Sequence, residues 1–223
     1  MFKLKYGVKF LSTEYARRLP EKEWKLVPAV RLDHWQWLDN DFRPEVMARL
    51  CYAQSFLMVR FDVRDEVPTV RFIHHQDPVY KDSCVEFFFQ PFPGPGQKYF
   101  NFEVNAAGAM LAAFGSNRSD RIFLPVDDIA GLDIRVGLKS EESRESNREV
   151  SGSGWFAEYA LPLGLISSFS GVNIIPGHVA AGNFYKCGDE TPVPHYGVWN
   201  PLETSEPDFH RPEYFGILEF LVP

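Results

Sequence analysis

The first chemical hint lies in a short alternating segment. In Tyr99–Asn105, Phe100, Phe102 and Val104 alternate with Asn101, Glu103 and Asn105. A period of two sends the apolar set to one face of a strand and the polar set to the other. The apolar residues then bury between sheets. The polar row is either an ordinary solvated face or a hydrogen-bonding floor, whose amides and carboxylate offer donors and acceptors to a polar ligand. Trp199 lies between Gly197 and Pro201, in a loop that could present its ring to solvent. An exposed indole suits the C–H face of a pyranose, and a buried one is simply packing.

Other chemistries have weaker support. Asp82 and Glu86 are four residues apart, roughly 13 Å along a strand, and glycoside hydrolysis needs carboxyls about 5–9.5 Å apart across a bond. Glu86 and Glu103, on separate strands, could come closer, but no sequence rule sets that register. Adjacent His74 and His75 point to opposite strand faces and do not chelate together. His195 and the Asp208-x-His210 turn complete no HExxH or EF-hand pattern, and His210 reads as a hydrogen-bonding turn residue. Haem would need an axial Met or His over an apolar pocket, and Met58 and Met110 read as core. Cys51, Cys84 and Cys187 are odd in number with no CxxC spacing, which favours buried free thiols. Lys186 next to Cys187 could activate that thiol, but no nucleophile elbow accompanies it. No Walker-type loop occurs, and Gly94-Pro95-Gly96 reads as a hairpin turn.

The elements that would position these groups are mostly strands. Strand patterns cover Leu50–Val63, Cys84–Gln90, Tyr99–Asn105, Ala109–Phe114, Leu132–Leu138, Trp155–Leu161, Val179–Lys186 and Tyr214–Leu221. A short helix is expected after Pro162 and a turn over Thr13–Arg18. Trp24, Trp35 and Trp37 are expected to cover a sheet edge. The polar stretch Lys139–Gly154 reads as an exposed loop within one domain spanning residues 1–223. Many short strands with Gly and Pro turns predict an all-β, antiparallel β-sandwich, immunoglobulin- or jelly-roll-like, with few short helices.

Composition narrows the function classes. The chain has 223 residues, 24% of them charged and 45% hydrophobic, which is a globular balance. Its net charge of −7 argues against nucleic acid or an anionic membrane as partner. No apolar run reaches the ~18–20 residues of a membrane span. The N-terminus, Met1-Phe2-Lys3-Leu4-Lys5-Tyr6, lacks an apolar leader segment. The chain as given is therefore expected in the cytoplasm, and a trimmed chain would be secreted or periplasmic.

Six segments in order carry a family resemblance: VYKDSCVEFF (79–88), YFNFEVNAAG (99–108), GWFAEYALP (154–162), GNFYKC (182–187), VWNP (198–201) and DFHRPEYFG (208–216). Together they resemble carbohydrate-binding module family 9 and its stand-alone relatives, across residues 20–221. The resemblance implies a β-sandwich that holds a mono- or oligosaccharide between aromatic rings without cleaving it. Some members bind a structural calcium, and many are fused to glycoside hydrolases acting on xylan and other plant-type polysaccharides. It implies that Trp199 stacks on the sugar and that Tyr80, beside the aligned Val79, forms a second wall. Asn183 matches a ligand-facing Asn, and Glu103 stands where a xylanase-attached member has a binding Arg. Asn101 and Lys186 complete the expected rim. A glycoside hydrolase or hydrolase-associated subunit is the first alternative, and a haem-binding sandwich module the second.

Overall fold

The computed structural model describes residues 3–12, 17–64, 66–139 and 154–223. Fourteen strands among them join into one curled sheet. In chain order these are β1 (Lys5–Phe10), β2 (Ala29–Arg31), β3 (His34–Trp35), β4 (Glu45–Tyr52), β5 (Phe56–Arg64), β6 (Cys84–Gln90) and β7 (Tyr99–Asn105). Then follow β8 (Met110–Gly115), β9 (Arg121–Phe123), β10 (Asp133–Lys139), β11 (Gly154–Pro162), β12 (Val179–Cys187), β13 (Tyr196–Val198) and β14 (Gly216–Phe220). Three short helices accompany them: α1 (Glu21–Trp24), α2 (Val126–Ala130) and α3 (Leu163–Ser170), the last following Pro162 as the sequence suggests. The predicted strand over Leu50–Val63 is broken near Ala53 into the β4–β5 hairpin. Residues 140–153 and 13–16, which hold most of the predicted polar loop and turn, lie outside the described residues.

The strands run β10-β11-β5-β4-β1-β14-β12-β6-β7-β8-β9, with β2 on β4 and β13 bridging β12 to β3. The molecule is mostly β, but the antiparallel expectation needs correction, because the sheet is mixed. β1 pairs in parallel with β14 through Lys5–Val8 and with β4 through Lys9–Phe10. Hairpins force neighbours to be antiparallel. β1 has no turn joining it to either partner, so nothing opposes the parallel pairing. It thereby stitches the two halves of the sheet together.

The curl brings the apolar sides of those halves face to face. Phe61 of β5 meets Phe184 of β12 with ring centroids 5.9 Å apart, and Phe102 of β7 meets Tyr159 of β11 at 6.5 Å. Phe100, Phe102 and Val104 are fully buried here, as their alternation requires. Trp199 belongs to the same core. It is 4% exposed, 5.6 Å from the Phe184 ring and 6.5 Å from Tyr6. A Cβ on Gly216 would sit 2.6 Å from the indole, so glycine is what admits the ring there. The expectation that Trp199 offers a stacking platform is thus corrected: the loop carries the indole inward.

Lys186 is two residues beyond Phe184 and so shares its inward side. Its ammonium donates to Glu66 Oε1 at 3.1 Å, to the Cys187 carbonyl at 2.8 Å and to His195 Nε2 at 2.7 Å. Trp155 Nε1 and Ser83 Oγ complete the shell of Glu66, each at 2.7 Å. Burial pushes Glu66 up, but Lys186, Trp155, Ser83 and His195 outweigh it and hold the carboxyl below its usual range. Burial and then Lys186 push His195 down to about 4, so it accepts as a neutral imidazole. A buried ion pair of this kind is strongly destabilised by removal of one partner.

Replacing a core Trp with Ala typically costs about 3–5 kcal/mol. Trp199→Ala should therefore lower the stability read from urea unfolding by about that much. A loss under about 1 kcal/mol would contradict a core role for this ring.

Candidate functional site

The opposite side of β6, β7, β8 and β12 is not solvated. Phe88, Tyr99, Leu111 and Tyr185 bury there beneath Val79, Phe209 and Phe215. Over this layer opens a cleft of about 170 Å³, lined by Tyr80, Glu86, Glu103, Arg118, Arg121, Cys187, Asp189, Tyr196 and residues 207–210. Its floor comes from adjacent strands. Glu86 on β6 stands directly opposite Glu103 on β7, the register that the sequence could not supply. Its walls come from connecting segments. Tyr80 lies in a 3-10 turn before β6, Arg118 in the β8–β9 turn, Asp189 just after β12, and Phe209 and His210 before β14.

Backbone and charge contacts hold the walls in place. Asp189 N–H donates to the Tyr80 carbonyl at 3.2 Å, and Glu190 N–H to that of Lys81 at 3.1 Å. Glu190 also pairs with Lys81 at 2.8 Å and Arg71 at 2.9 Å. Trp37 backs the far wall, with centroids 5.5 Å from Tyr196 and 5.7 Å from Phe209. Its φ of 66° is a strained backbone state for a bulky residue, held by the indole N–H donating to the Thr204 carbonyl at 2.9 Å. Arg118 and Asp208 pair across the rim at 3.2 Å.

The floor is unusual in its protonation. Glu103 is 3% exposed. Its Oε1 accepts from Asn101 Nδ2 at 2.9 Å and lies 3.6 Å from Arg121 Nη1, while its buried Oε2 has no hydrogen-bond partner. Burial raises its pKa to about 7, against the pull of Arg121. Burial and then the neighbouring Glu103 push Glu86 well above the usual carboxylate range, and Glu86 accepts from the Cys187 thiol at 3.0 Å. Burial lifts Asp189 to about 6. Glu86 therefore faces the cleft protonated, and Glu103 shares its proton with solvent near neutral pH, so the pair can both donate and accept.

His210 is the keystone of the rear wall. Burial, then Arg121, pushes it down to about 2, so it is neutral. Arg121 can only donate, at 3.3 Å to Nε2, so Nδ1 carries the proton that meets Tyr99 Oη at 2.8 Å.

A family model described as carbohydrate-binding family 9 matches residues 21–220. The chain belongs to carbohydrate-binding family 9. A protein from Bacteroides uniformis ATCC 8492, provisionally described as carbohydrate-binding, is 25% identical over 98% of this chain and 100% of its own, with a TM-score of 0.80. A family 9 module from Caldicellulosiruptor kristjanssonii, solved with glucose, is 13% identical over 97% of this chain and 95% of its own, with a TM-score of 0.64. The same organism's module solved with cellotriose gives 13% identity, 98% and 94% coverage and a TM-score of 0.61. No curated protein matches the chain.

Within this family member, the six residues singled out by sequence separate sharply. Tyr80 and Glu103 line the cleft, and Asn101 holds Glu103 from beside it. Trp199, Lys186 and Asn183 do not reach it. Asn183 is wholly buried: its Oδ1 accepts from Asn200 N–H at 2.9 Å and Phe184 N–H at 3.0 Å, and its Nδ2 donates to the Asn200 carbonyl at 2.9 Å. With those bonds made it serves as a staple for the 198–201 turn. The sequence reading missed Tyr196, Arg118, Arg121, Asp189 and Phe209, which arrive from connecting segments and from the first residues of the three-residue strands β9 and β13, too short for periodicity to mark. Calcium takes six to eight oxygen ligands, and among the described residues no three carboxylates converge; the one converging set of such donors is Cys84, Glu86 and Cys187. Met58 and Met110 are core residues.

The raised Glu103 pKa has a defined sign. Between about 4.3, where an unfolded Glu loses its proton, and the folded value of about 7, the folded state holds the extra proton. Stability contributed by this group is full below that window and is lost as pH rises through it. Glu103→Gln should therefore gain on wild type by about 2–3 kcal/mol between pH 5 and pH 8 in urea unfolding. Parallel pH profiles for the two proteins would show that Glu103 titrates normally.

Proposed function

We propose that this chain binds, without cleaving, one terminal sugar unit of an oligo- or polysaccharide in the cleft. The observation that carries the reading is the Glu86–Glu103 floor, with its unpartnered Glu103 Oε2, in a cleft that Tyr80 and Tyr196 also line. A cavity of about 150 Å³ holds a benzene ring, so about 170 Å³ suits a single pyranose. Tyr80 and Tyr196 would cover its C–H faces. Glu86, Glu103, Arg118 and Arg121 would meet its hydroxyl edge. Trp199, Asn183 and Lys186 contribute by building the sheet beneath, which in this reading is a sandwich closed by β1.

Catalysis fits the geometry less well. Hydrolysis needs two carboxyls flanking a glycosidic bond. Glu86 and Glu103 rise side by side from one floor, so both would meet a bound sugar from the same side. Glucose and cellotriose in the C. kristjanssonii structures favour a gluco-configured ligand. A non-catalytic module of this sort would act by concentrating a partner glycoside hydrolase on plant-type polysaccharide such as xylan.

Calorimetric titration with gluco-, xylo-, manno- and galacto-oligosaccharides tests this directly, each sugar repeated after borohydride reduction of its end unit. Saturable binding is expected, weakened about tenfold or more by Tyr196→Ala and abolished by Glu103→Leu. Trp199→Phe, a conservative core change, should leave the affinity near wild type. No heat from any sugar with folded protein, or binding indifferent to Tyr80→Ala and Tyr196→Ala, would sink the proposal. Release of reducing sugar that disappears in Glu86→Gln would replace it with the hydrolase reading.

A further inference from the structure

A different chemistry sits at one end of the cleft floor, in two thiols that sugar recognition does not need. Cys84 and Cys187 are directly opposed on β6 and β12. Glu86, two residues beyond Cys84, projects from the same side of β6. As a result one donor atom from each of the three lies within 4.8 Å of the other two. The Cys187 sulfur is 3.0 Å from Glu86 Oε1. All three side chains are buried, yet Cys187 and Glu86 line the cleft, so the cluster is reached from solvent. The remaining thiol, Cys51, belongs to a separate cluster with Met58 and Trp24.

We infer that Cys84, Cys187 and Glu86 form a three-donor site for a thiophilic divalent cation, with zinc the best match and the fourth position open to cleft water. Zinc takes thiolate at about 2.3 Å and carboxylate at about 2.0–2.2 Å in a tetrahedron, which separates the donors by roughly 3.3–3.8 Å. Donors already within 4.8 Å reach that spacing by side-chain adjustments of about an ångström. Calcium and magnesium prefer all-oxygen shells and are poorly served by two sulfurs. Loading transfers one proton from each thiol, and the one held by Glu86, to solvent as the three metal bonds form. The site then carries one net negative charge, three anionic donors against a divalent ion. The site shares Glu86 and the cleft with the proposed sugar position, so metal uptake is measured with no sugar present, and its outcome does not require that a sugar bind.

The test uses the untagged, chelator-treated, reduced 223-residue chain. Zn²⁺ is titrated against a chromophoric chelator, and Co²⁺ serves as the spectroscopic probe. One metal per chain is expected, with proton release and thiolate-to-cobalt charge-transfer absorption. Cys187→Ser should weaken binding by about 100-fold, and Glu86→Gln, which keeps both thiols, by about tenfold. Cys51→Ser should change neither. If Cys187→Ser does not fold, Glu86→Gln and the cobalt spectrum decide. No uptake by folded, reduced wild type, or uptake unaffected by Glu86→Gln, overturns the inference. So does recovery of only one of the three thiols when metal-free protein purified without reductant is denatured, which would make the pair a disulfide couple.

Discussion

The register of β6 between β12 and β7 is the constraint on which the rest of the molecule depends. It places Cys84 opposite Cys187, and Glu86 opposite both Tyr185 and Glu103. Strand parity then does the sorting. On β12, Phe184 and Lys186 go inward to the shared core, while Tyr185 and Cys187 go to the cleft side. On β7, Phe102 goes inward and Glu103 outward. A slip of one residue would put carboxyls into the phenylalanine core and phenylalanines onto the floor. Neither arrangement could be satisfied, so the same apolar packing that stabilises the sheet also fixes where the acids stand.

A polar floor this deep is costly, and the structure shows how the cost is limited. Ionised carboxylates are expensive to bury, and here Glu86 avoids that cost by keeping its proton, while Glu103, raised to about 7, loses its proton far later than an exposed acid does. The surrounding polar groups are arranged differently. Lys186, Glu66 and His195 form a closed network in which each buried charge has partners. Glu103 Oε2 has none. Lys186 and Glu103 are both buried, so burial alone does not tell them apart, whereas the first sits in a saturated network and the second keeps an unsatisfied oxygen at a residue that lines the cleft.

Much of the fold was legible because strand periodicity and turn chemistry are local. The alternation in Tyr99–Asn105 gave the correct faces, and the cysteines proved to be buried free thiols. The parallel pairing of β1 was not legible, because it joins chain segments more than 200 residues apart in the β1–β14 ladder and leaves no turn signal. Within the site, Trp199 misled because a Trp flanked by Gly and Pro looks exposed. Its inward course depends on the space above Gly216, which sits 17 residues away and bears no visible mark of that role.

The residues that made the family recognisable are largely structural staples. Asp82 accepts from the backbone N–H groups of Arg71 and Phe72, both at 2.9 Å, and from Asn105 Nδ2 at 3.0 Å. Asn105 Oδ1 in turn accepts from Ala107 and Ala109, closing the β7–β8 turn at Gly108, where φ is 83°. Asn183 and Asn200 bind each other and clamp the 198–201 turn to β12. Each replaces backbone hydrogen bonds that an irregular segment cannot make for itself, so few other residue types fit. The cleft walls face a weaker demand. Tyr80, Tyr196 and Phe209 need only present a ring from segments already fastened behind them, so different sequences can meet it. Motifs in such a fold therefore report the framework, and ligand preference must be read from the wall residues that the motifs leave free.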